Sequence, residues 1–348
     1  MIAVGLLAAC KGKEPAKDKV APAGSAIANA APTIDAKPAA ATPESRLARF
    51  QECLAAFNSG TAATLATCYG TSSVREQVDS VPELAAEGSE KIVEMVVQQR
   101  AAFPDLTLTP RLVIVSGDTI AALHHVSGKN TAEAGGMKAT NKTLGIFEAE
   151  IVTIADDGTL TSDRFFVDQP TVYHQLGLLA NDTSPAAIAK PGGAPELLVA
   201  KNDERETANK ALVQKLLDAV SKKDAAAIES AAADTIKFTF HGEKQKVETK
   251  KAYMKWMRDT LASTAEGTVD VKGIWAANDA VVVLDVFTGI PKGVDDGRTV
   301  RTNVVQFFRI ADGKIVHHEM FVNRLNAAVQ LGVVDPEQLM QSLAAAAK

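Results

Sequence analysis

Ionisable side chains in β-strand-like segments are the residues of this sequence that could carry chemistry. His318 and Asp163 lie in two such segments. Alternate side chains of a strand share one face, so His318 lies with Val316 and Met320, and Asp163 lies with Phe165. A carboxylate or an imidazole in such apolar surroundings can act as a general base. The alternatives are a hydrogen-bonded His318 and a solvated or salt-bridged Asp163.

The preceding strand-like segments add further candidates for the lining of a pocket. Gln306 and Phe308 share one face, as do Glu148 and Glu150. The two glutamates could pair across a pocket mouth, or they could form a solvated face. The large aromatic residues are expected in the core or the pocket wall, and these are Phe308, Trp256 and Trp275.

Two His-His pairs suggest a metal site, but their spacing argues against one. The pairs are His124-His125 and His317-His318. Neighbouring side chains on a regular strand point to opposite faces, so such a pair cannot chelate one ion. The sequence also contains no Gly-rich phosphate loop and no G-x-S-x-G nucleophile motif. We therefore expect neither a metal nor a cofactor.

Cys53 and Cys68 lie at similar distances on either side of the turn Asn58-Ser59-Gly60. A helical hairpin with this turn would bring the two cysteines close together. In an exported protein that arrangement favours a disulfide. The alternative is a pair of small buried thiols.

These residues are positioned by one unit that is written twice in the chain. Asp312-Gly313 separates two runs rich in Phe, Ile and Val, which is a strong β-hairpin signal. Asp157-Gly158 separates a similar pair of runs 155 positions earlier. The same offset relates Asp168 to Asn323, just after the last strand of each copy, where each is expected to cap a short helix.

Each copy reads as three helices, four strands and a short closing helix. In a single sheet with one apolar face, the helices can cover that face only if the sheet curves around them. The prediction is an α+β chain of two tandem cones, each a curved antiparallel sheet wrapped around three N-terminal helices. The predicted segments are a signal remnant at 1–10, a disordered tether at 11–44, domain 1 at 45–180, a linker at 181–203, domain 2 at 204–334 and a C-terminal helix at 335–348.

The N-terminal residues indicate export. The run Leu7-Ala8-Ala9-Cys10 ends an apolar segment and precedes residues 11–44, which contain almost no large apolar side chain. This arrangement resembles the lipobox and tether of bacterial lipoproteins. The resemblance implies cleavage before Cys10, a lipid on that residue and attachment to the cell envelope. Lys11, in place of an aspartate, implies the outer membrane.

Composition and charge exclude some function classes. The 348 residues carry a net charge of −5, and no dense Lys/Arg cluster alternates with aromatic residues, so nucleic-acid binding is not expected. No apolar run approaches the roughly 18 residues of a membrane-spanning helix.

The order of elements resembles the nuclear transport factor 2-like superfamily and, within it, the SnoaL-like polyketide cyclases. The matching motifs are Phe103-Pro104-Asp105-Leu106 before the first strand, the two Asp-Gly hairpins, Phe-x-Asp or Phe-x-Asn after the last strand, and the closing Gln-Leu-Gly. The resemblance covers nearly all of 45–180 and 204–334, and it implies an apolar pocket in each copy.

The resemblance also implies where catalytic residues would lie. SnoaL-like cyclases use an Asp on the last strand as a general base and a His on the preceding strand. The Asp position falls on Met320 and Phe165, and the His position falls on Gln306 and on Glu150 or its neighbour. Met and Phe cannot carry a proton, so the family's acid is absent from both copies.

Three hypotheses follow for the function. The favoured one is a binding or interaction module without catalysis, which takes a small apolar ligand or a protein partner. The second is a cyclase-like or isomerase-like enzyme that acts on a carbonyl compound through His318 or Asp163. The third is structural, with the two copies packed through their sheets as a pseudo-dimer within one chain, or as a homodimer.

Overall fold

The computed structural model describes residues 41–133, 138–180, 183–189, 192–292 and 297–346. Cys10 and most of the predicted tether lie outside these residues. The elements, in chain order, are α1 (Pro43–Ser59), α2 (Ala62–Ala66), β1 (Tyr69–Gln77), β2 (Leu84–Glu87), α3 (Ser89–Ala102), β3 (Thr107–Ser116), β4 (Thr119–Lys129), β5 (Thr143–Ile154), β6 (Leu160–Phe166), α4 (Gln169–Gln175), β7 (Glu196–Val199), α5 (Glu204–Ser221), α6 (Ala225–Ala231), β8 (Ala232–Phe240), β9 (Lys246–Val247), α7 (Lys250–Ser263), β10 (Thr264–Ala277), β11 (Ala280–Pro291), β12 (Val300–Ala311), β13 (Lys314–Phe321), α8 (Arg324–Gln330) and α9 (Pro336–Ala346).

The two copies form two open sheets, which confirms the predicted α+β fold with two tandem domains. The strand order is β2-β1-β6-β5-β4-β3-β7 in domain 1 and β10-β11-β12-β13-β8-β9 in domain 2. Helix α1 packs on β3 and α3 on β1, while α5 packs on β10 and α7 on β8. The helices of each domain thus contact strands toward both ends of its sheet, and we call the space between them and the sheet the hollow of that domain.

Strands β1 and β8 are not among the four strands predicted for each copy. Both strands pair in parallel with the last strand of their domain, β1 with β6 and β8 with β13. The sheets are therefore mixed, not purely antiparallel as predicted. In β1 the buried positions include Ser73, Arg75 and Gln77, so the usual alternation of apolar and polar residues is absent.

The segment predicted as a linker contains a strand. Residues of β7 pair in parallel with β3 and extend the sheet of domain 1 at its edge. The pattern ELLV is too short to be read as a strand from periodicity alone. The globular part also begins slightly earlier than predicted, because Thr42 caps α1 by accepting a hydrogen bond from the Ser45 backbone N–H.

Turns and caps mostly follow from local residue chemistry. In the hairpin between β12 and β13, Asp312 and Gly313 have φ values of 51° and 68°, as a tight two-residue turn requires. Asp168 and Asn323 cap α4 and α8 through their side chains. Ser89 is not the cap predicted for α3, because Gly88 occupies that position with a φ of 84°.

The buried apolar residues form three clusters, one in each hollow and one between the sheets. The cluster between the sheets joins the two domains, and includes Ile114, Ala121 and Ile151 with Val282, Val305 and Phe307. Helix α9 belongs to domain 2 by sequence, but Leu343 packs against the cluster of domain 1. Within the part of the chain that the structure describes, no helix is long and apolar enough to cross a membrane.

Candidate functional site

The hollow of domain 1 holds a buried network of charged side chains. The Arg75 guanidinium contacts the Asp163 carboxylate in an ion pair, and both side chains are almost fully buried. The Tyr69 hydroxyl donates a hydrogen bond to Asp163 Oδ2 at 2.7 Å, and Arg75 Nη1 lies 3.2 Å from the same hydroxyl. Asp163 therefore points inward, but it is held by a cation and a hydroxyl group.

A second carboxylate completes this network. Glu150 Oε1 lies 3.5 Å from Arg75 Nη1, and Glu150 Oε2 lies 2.9 Å from His124 Nε2. Burial raises the pKa of Glu150, but the hydrogen bond from His124 and the charges of His124 and Arg75 outweigh burial and lower it below its usual value. A carboxylate stabilised in its charged form is a weak base, so the network opposes proton abstraction by Glu150.

The space beside this network is small. A cavity of about 20 Å³ lies between it and the apolar side chains of Phe50, Leu54 and Phe57. A volume of this size has room for roughly one water molecule. The hollow of domain 1 is therefore filled by its own side chains.

The hollow of domain 2 holds a relay of hydrogen bonds instead of an ion-pair network. Tyr253 Oη lies 3.3 Å from His318 Nδ1, and His318 Nε2 lies 2.9 Å from Gln306 Oε1. Gln306 Nε2 donates to Asp285 Oδ2 at 2.6 Å. Since the Gln306 oxygen only accepts, His318 carries its proton on Nε2 and accepts from Tyr253 on Nδ1.

Burial sets the protonation states along this relay. It lowers the pKa of His318 to about 3, so the imidazole is neutral at physiological pH. It raises the pKa of Asp285 to about 7, against which the hydrogen bond from Gln306 acts only in part. Burial also raises the pKa of Tyr253 far above its ordinary value. Asp285 is therefore the one relay member whose charge changes near neutral pH.

Most residues predicted to line the pocket of domain 2 do lie on the inner face of its sheet. Phe308 stacks on His318 with ring centroids 4.4 Å apart. Met320 is partly buried against the apolar cluster of the hollow. Trp275 is an exception, because it packs against the cluster between the two sheets. A bulge in β10 between Val271 and Gly273 shifts the alternation by one residue and turns Trp275 outward.

Met320 and Phe165 occupy the positions of the family's acid, but other residues bring carboxylates into the hollows. Two of them, Asp163 and Glu150, were predicted to line the pocket. Glu150 and Asp163 lie in the first hollow and Asp285 lies in the second, all nearly fully buried. Asp285 was missed because it follows an apolar run in β11; its inward parity with Val281 and Val283 was a signal that could have revealed it.

The histidine pairs are split between the two faces of their strands. His124 and His318 lie in the hollows, whereas His125 bonds the Ile188 carbonyl at 2.9 Å and His317 faces Glu319. In the described residues, no group of three His, Cys, Asp or Glu side chains is placed to hold a metal ion. Cys53 and Cys68 form a disulfide with Cα atoms 5.7 Å apart, which ties α1 to the residue before β1.

Two curved sheets, each enclosing a hollow beneath its helices, define the class of nuclear transport factor 2-like folds. Family models narrow this to one family: SnoaL-like polyketide cyclase matches residues 47–176, and SnoaL-like domain matches residues 213–318. The chain belongs to the SnoaL-like family and carries two copies of its domain in tandem.

Solved structures of this fold resemble one domain of the chain at a time. An LEH-like epoxide hydrolase of M. tuberculosis is 17% identical with a TM-score of 0.33, over 37% of this chain and 92% of that one. A SnoaL-like protein from Jannaschia sp. CCS1 is 21% identical with a TM-score of 0.36, over 39% of this chain and 99% of that one. At these identities the likeness concerns the fold alone. No curated protein matches the chain.

Proposed function

We propose that domain 2 binds a small, mostly apolar molecule in its hollow, and that domain 1 is a filled copy with a structural role. The observation that carries this proposal is that the second hollow holds a hydrogen-bond relay without a cation, whereas a buried ion-pair network occupies the first. Several apolar side chains at the second hollow are only partly buried, namely Trp256, Leu261, Val269, Val271, Met320 and Val322. Partly exposed apolar groups around a concave site are typical of ligand pockets.

The polar groups of the second hollow suit a neutral ligand. His318 is uncharged at neutral pH, and Tyr253 and Gln306 carry no charge. An anionic ligand would lose its hydration there without meeting a cation of the relay, and it would be repelled by the ionised form of Asp285. A neutral molecule with one polar group, such as a carbonyl or a hydroxyl, fits this hollow best.

The two tryptophans of the chain provide an internal test. Trp256 lies against Phe238 in the second hollow, with ring centroids 4.4 Å apart, whereas Trp275 lies on the opposite face of the sheet. The neutral probe N-phenyl-1-naphthylamine absorbs tryptophan emission. We expect its binding to quench the fluorescence of wild-type protein and of Trp275→Phe, and to leave Trp256→Phe nearly unquenched. Equal quenching in both variants would exclude this hollow as the binding site.

A second candidate function is proton transfer at a carbonyl compound, with Asp285 as the base. The observation in its favour is a buried carboxylate whose pKa of about 7 matches that of an efficient base at neutral pH. Asp163, by contrast, is ion-paired with Arg75.

The two candidate functions differ in what Asp285→Asn removes. If Asp285 is a base, the variant loses hydrogen–deuterium exchange at the α-carbon of a bound ketone and retains uptake of the naphthylamine probe. If the domain only binds its ligand, wild-type protein shows no exchange above the buffer rate. Asp163→Asn serves as the matched control in domain 1.

We also propose that the chain is exported and anchored through a lipid on Cys10. The support is the lipobox-like sequence before Cys10, together with the Cys53–Cys68 disulfide, which is typical of oxidising compartments. Mass spectrometry of the mature protein tests this proposal: we expect an N-terminal acylated Cys10, and an unmodified Cys10 peptide would contradict it.

A further inference from the structure

A cleft between the two domains is lined by residues of both sheets. Its volume is about 420 Å³, which lies in the range of small-molecule sites. One wall comes from β3 to β5 of domain 1 and the other from β8, β9 and β13 of domain 2. The segment 185–188 borders it, with Ile188 bonded through its backbone to Gly145. We call this space the interdomain cleft.

Cationic side chains outnumber anionic ones in the interdomain cleft. Arg111, Lys237, Lys244 and Lys246 line it, and none of them forms an ion pair with a described residue. The Arg111 guanidinium lies over the Phe147 ring, 5.5 Å from its centroid. Two glutamates at the cleft, Glu243 and Glu248, offset part of this charge.

The third glutamate of the cleft is already paired. Glu319 Oε2 lies 2.7 Å from His241 Nε2, and Glu319 Oε1 lies 3.7 Å from His317 Nδ1. Burial raises the pKa of Glu319, but the hydrogen bond with His241 and nearby positive charges lower it below its usual value. The Glu319 carboxylate is thus paired with His241, and Arg111 is the cation of the cleft whose charge also lowers its pKa.

The equivalent position on the other side of the domain interface is closed. There, Asp79 follows β1 and accepts hydrogen bonds from the Asn303 backbone at 2.6 Å and the Thr302 hydroxyl at 3.1 Å. By strand register, Gly242 takes the place of Asp79 and Phe147 takes the place of Asn303 at the cleft. A bridging acid is thus replaced by a glycine and an aromatic ring, and the contact between the domains there is the edge of the Phe147 ring against His241, with centroids 5.2 Å apart.

We propose that the interdomain cleft binds a small organic anion with a flat apolar body. Phe147 and Leu123 offer apolar surface to the body, and Arg111 and the three lysines offer charge to the anionic group. The second hollow does not share this preference, because its relay of Tyr253, His318, Gln306 and Asp285 contains no cation. The two sites therefore select ligands by charge.

Two fluorescent probes with the same body test this inference. The anion 1-anilinonaphthalene-8-sulfonate carries a sulfonate that N-phenyl-1-naphthylamine lacks. We expect Arg111→Gln/Lys237→Gln to weaken binding of the sulfonate by about tenfold or more, the effect of losing one charge-assisted contact. Binding of the neutral probe should not change. The charge-matched control is Lys215→Gln/Lys222→Gln, on the outer surface of domain 2.

A variant that is expected to strengthen binding of the sulfonate provides a further test. Glu243→Gln removes an acid at the cleft and should tighten binding of the sulfonate several-fold, and circular dichroism verifies that each variant is folded. Unchanged sulfonate affinity in the Arg111/Lys237 variant would overturn the proposal. An equal loss of affinity for both probes would overturn it as well, because charge would then play no part.

Discussion

The two hollows are built on equivalent strands but contain different polar groups. Strand register aligns four pairs of inward positions: Arg75 and Phe238, Asp163 and His318, Glu150 and Gln306, and His124 and Asp285. In domain 1 the arginine balances the two acids. In domain 2 the position of the arginine is occupied by Phe238, which carries no charge. Burial raises the pKa of Asp285, the acid of this hollow. The same scaffold thus yields a sealed ion-pair network in one copy and a mostly neutral relay in the other.

This difference explains why one hollow is filled and the other remains a candidate binding site. Buried charges are tolerated only when they are paired and hydrogen-bonded. The first hollow meets this condition with its own side chains, which occupy the space a ligand would need. The second hollow has fewer buried charges that must be paired by its own side chains. Part of its apolar wall is exposed.

The largest expected effect comes from removing the cation of domain 1. Arg75→Met leaves Asp163 and Glu150 buried without their positive partner, and should lower the free energy of unfolding by about 3–5 kcal/mol. The matched change at the equivalent position, Phe238→Leu, should cost only about 1 kcal/mol. Urea denaturation measures both variants. Similar losses would show that the two hollows do not differ in their electrostatics.

The disulfide is a second difference between the domains, because domain 2 contains no cysteine. Cys53 and Cys68 are 15 residues apart, and a crosslink closing such a loop contributes about 3 kcal/mol. Cys53→Ala/Cys68→Ala should lower the unfolding free energy by a similar amount. Dithiothreitol should then destabilise the wild type but not the variant. A variant still sensitive to the reductant would contradict this assignment.

The pH dependence of stability should have opposite signs in the two domains. The pKa of Asp285 rises on folding from 3.8 to about 7, so the folded state holds the proton more tightly. Its contribution to stability is therefore present below about pH 4 and is lost as the pH rises to about 7, by at most about 1.4 kcal/mol per pH unit. Asp285→Asn should flatten this part of the profile.

The contribution of Glu150 to the pH dependence of stability should have the opposite sign. Its pKa is lowered on folding from 4.5, so its contribution is present above that pH and is lost as the pH falls through the lower folded value. Glu150→Gln should therefore lower stability at neutral pH and flatten the acid limb of the profile. Denaturant unfolding between pH 3 and 8 measures both variants. If Asp285→Asn and Glu150→Gln changed the pH profile in the same direction, the opposite pKa shifts of the two acids would be contradicted.

Much of the fold followed from local patterns, because turns, caps and strand alternation depend on near neighbours in sequence. The Asp312-Gly313 hairpin and the inward parity of Asp163 and His318 are of this kind. Strand β1 could not be predicted, because its buried positions carry Ser73, Arg75 and Gln77 in place of apolar residues. The prediction that Trp275 lines the pocket was wrong for a similar reason, since a one-residue bulge in β10 cannot be recognised from the hydrophobic pattern.

By itself, the sequence determined a duplicated unit with one apolar face per sheet, and it determined which side chains share a face. That information is local, because alternate residues of a strand must point the same way. Only the tertiary structure decided which polar groups meet. Arg75 reaches Asp163 because β1 inserts beside β6 in parallel, a pairing between segments 88 residues apart that no local pattern specifies. The interdomain cleft likewise exists only because the two sheets pack against each other and bring residues of both domains to one space.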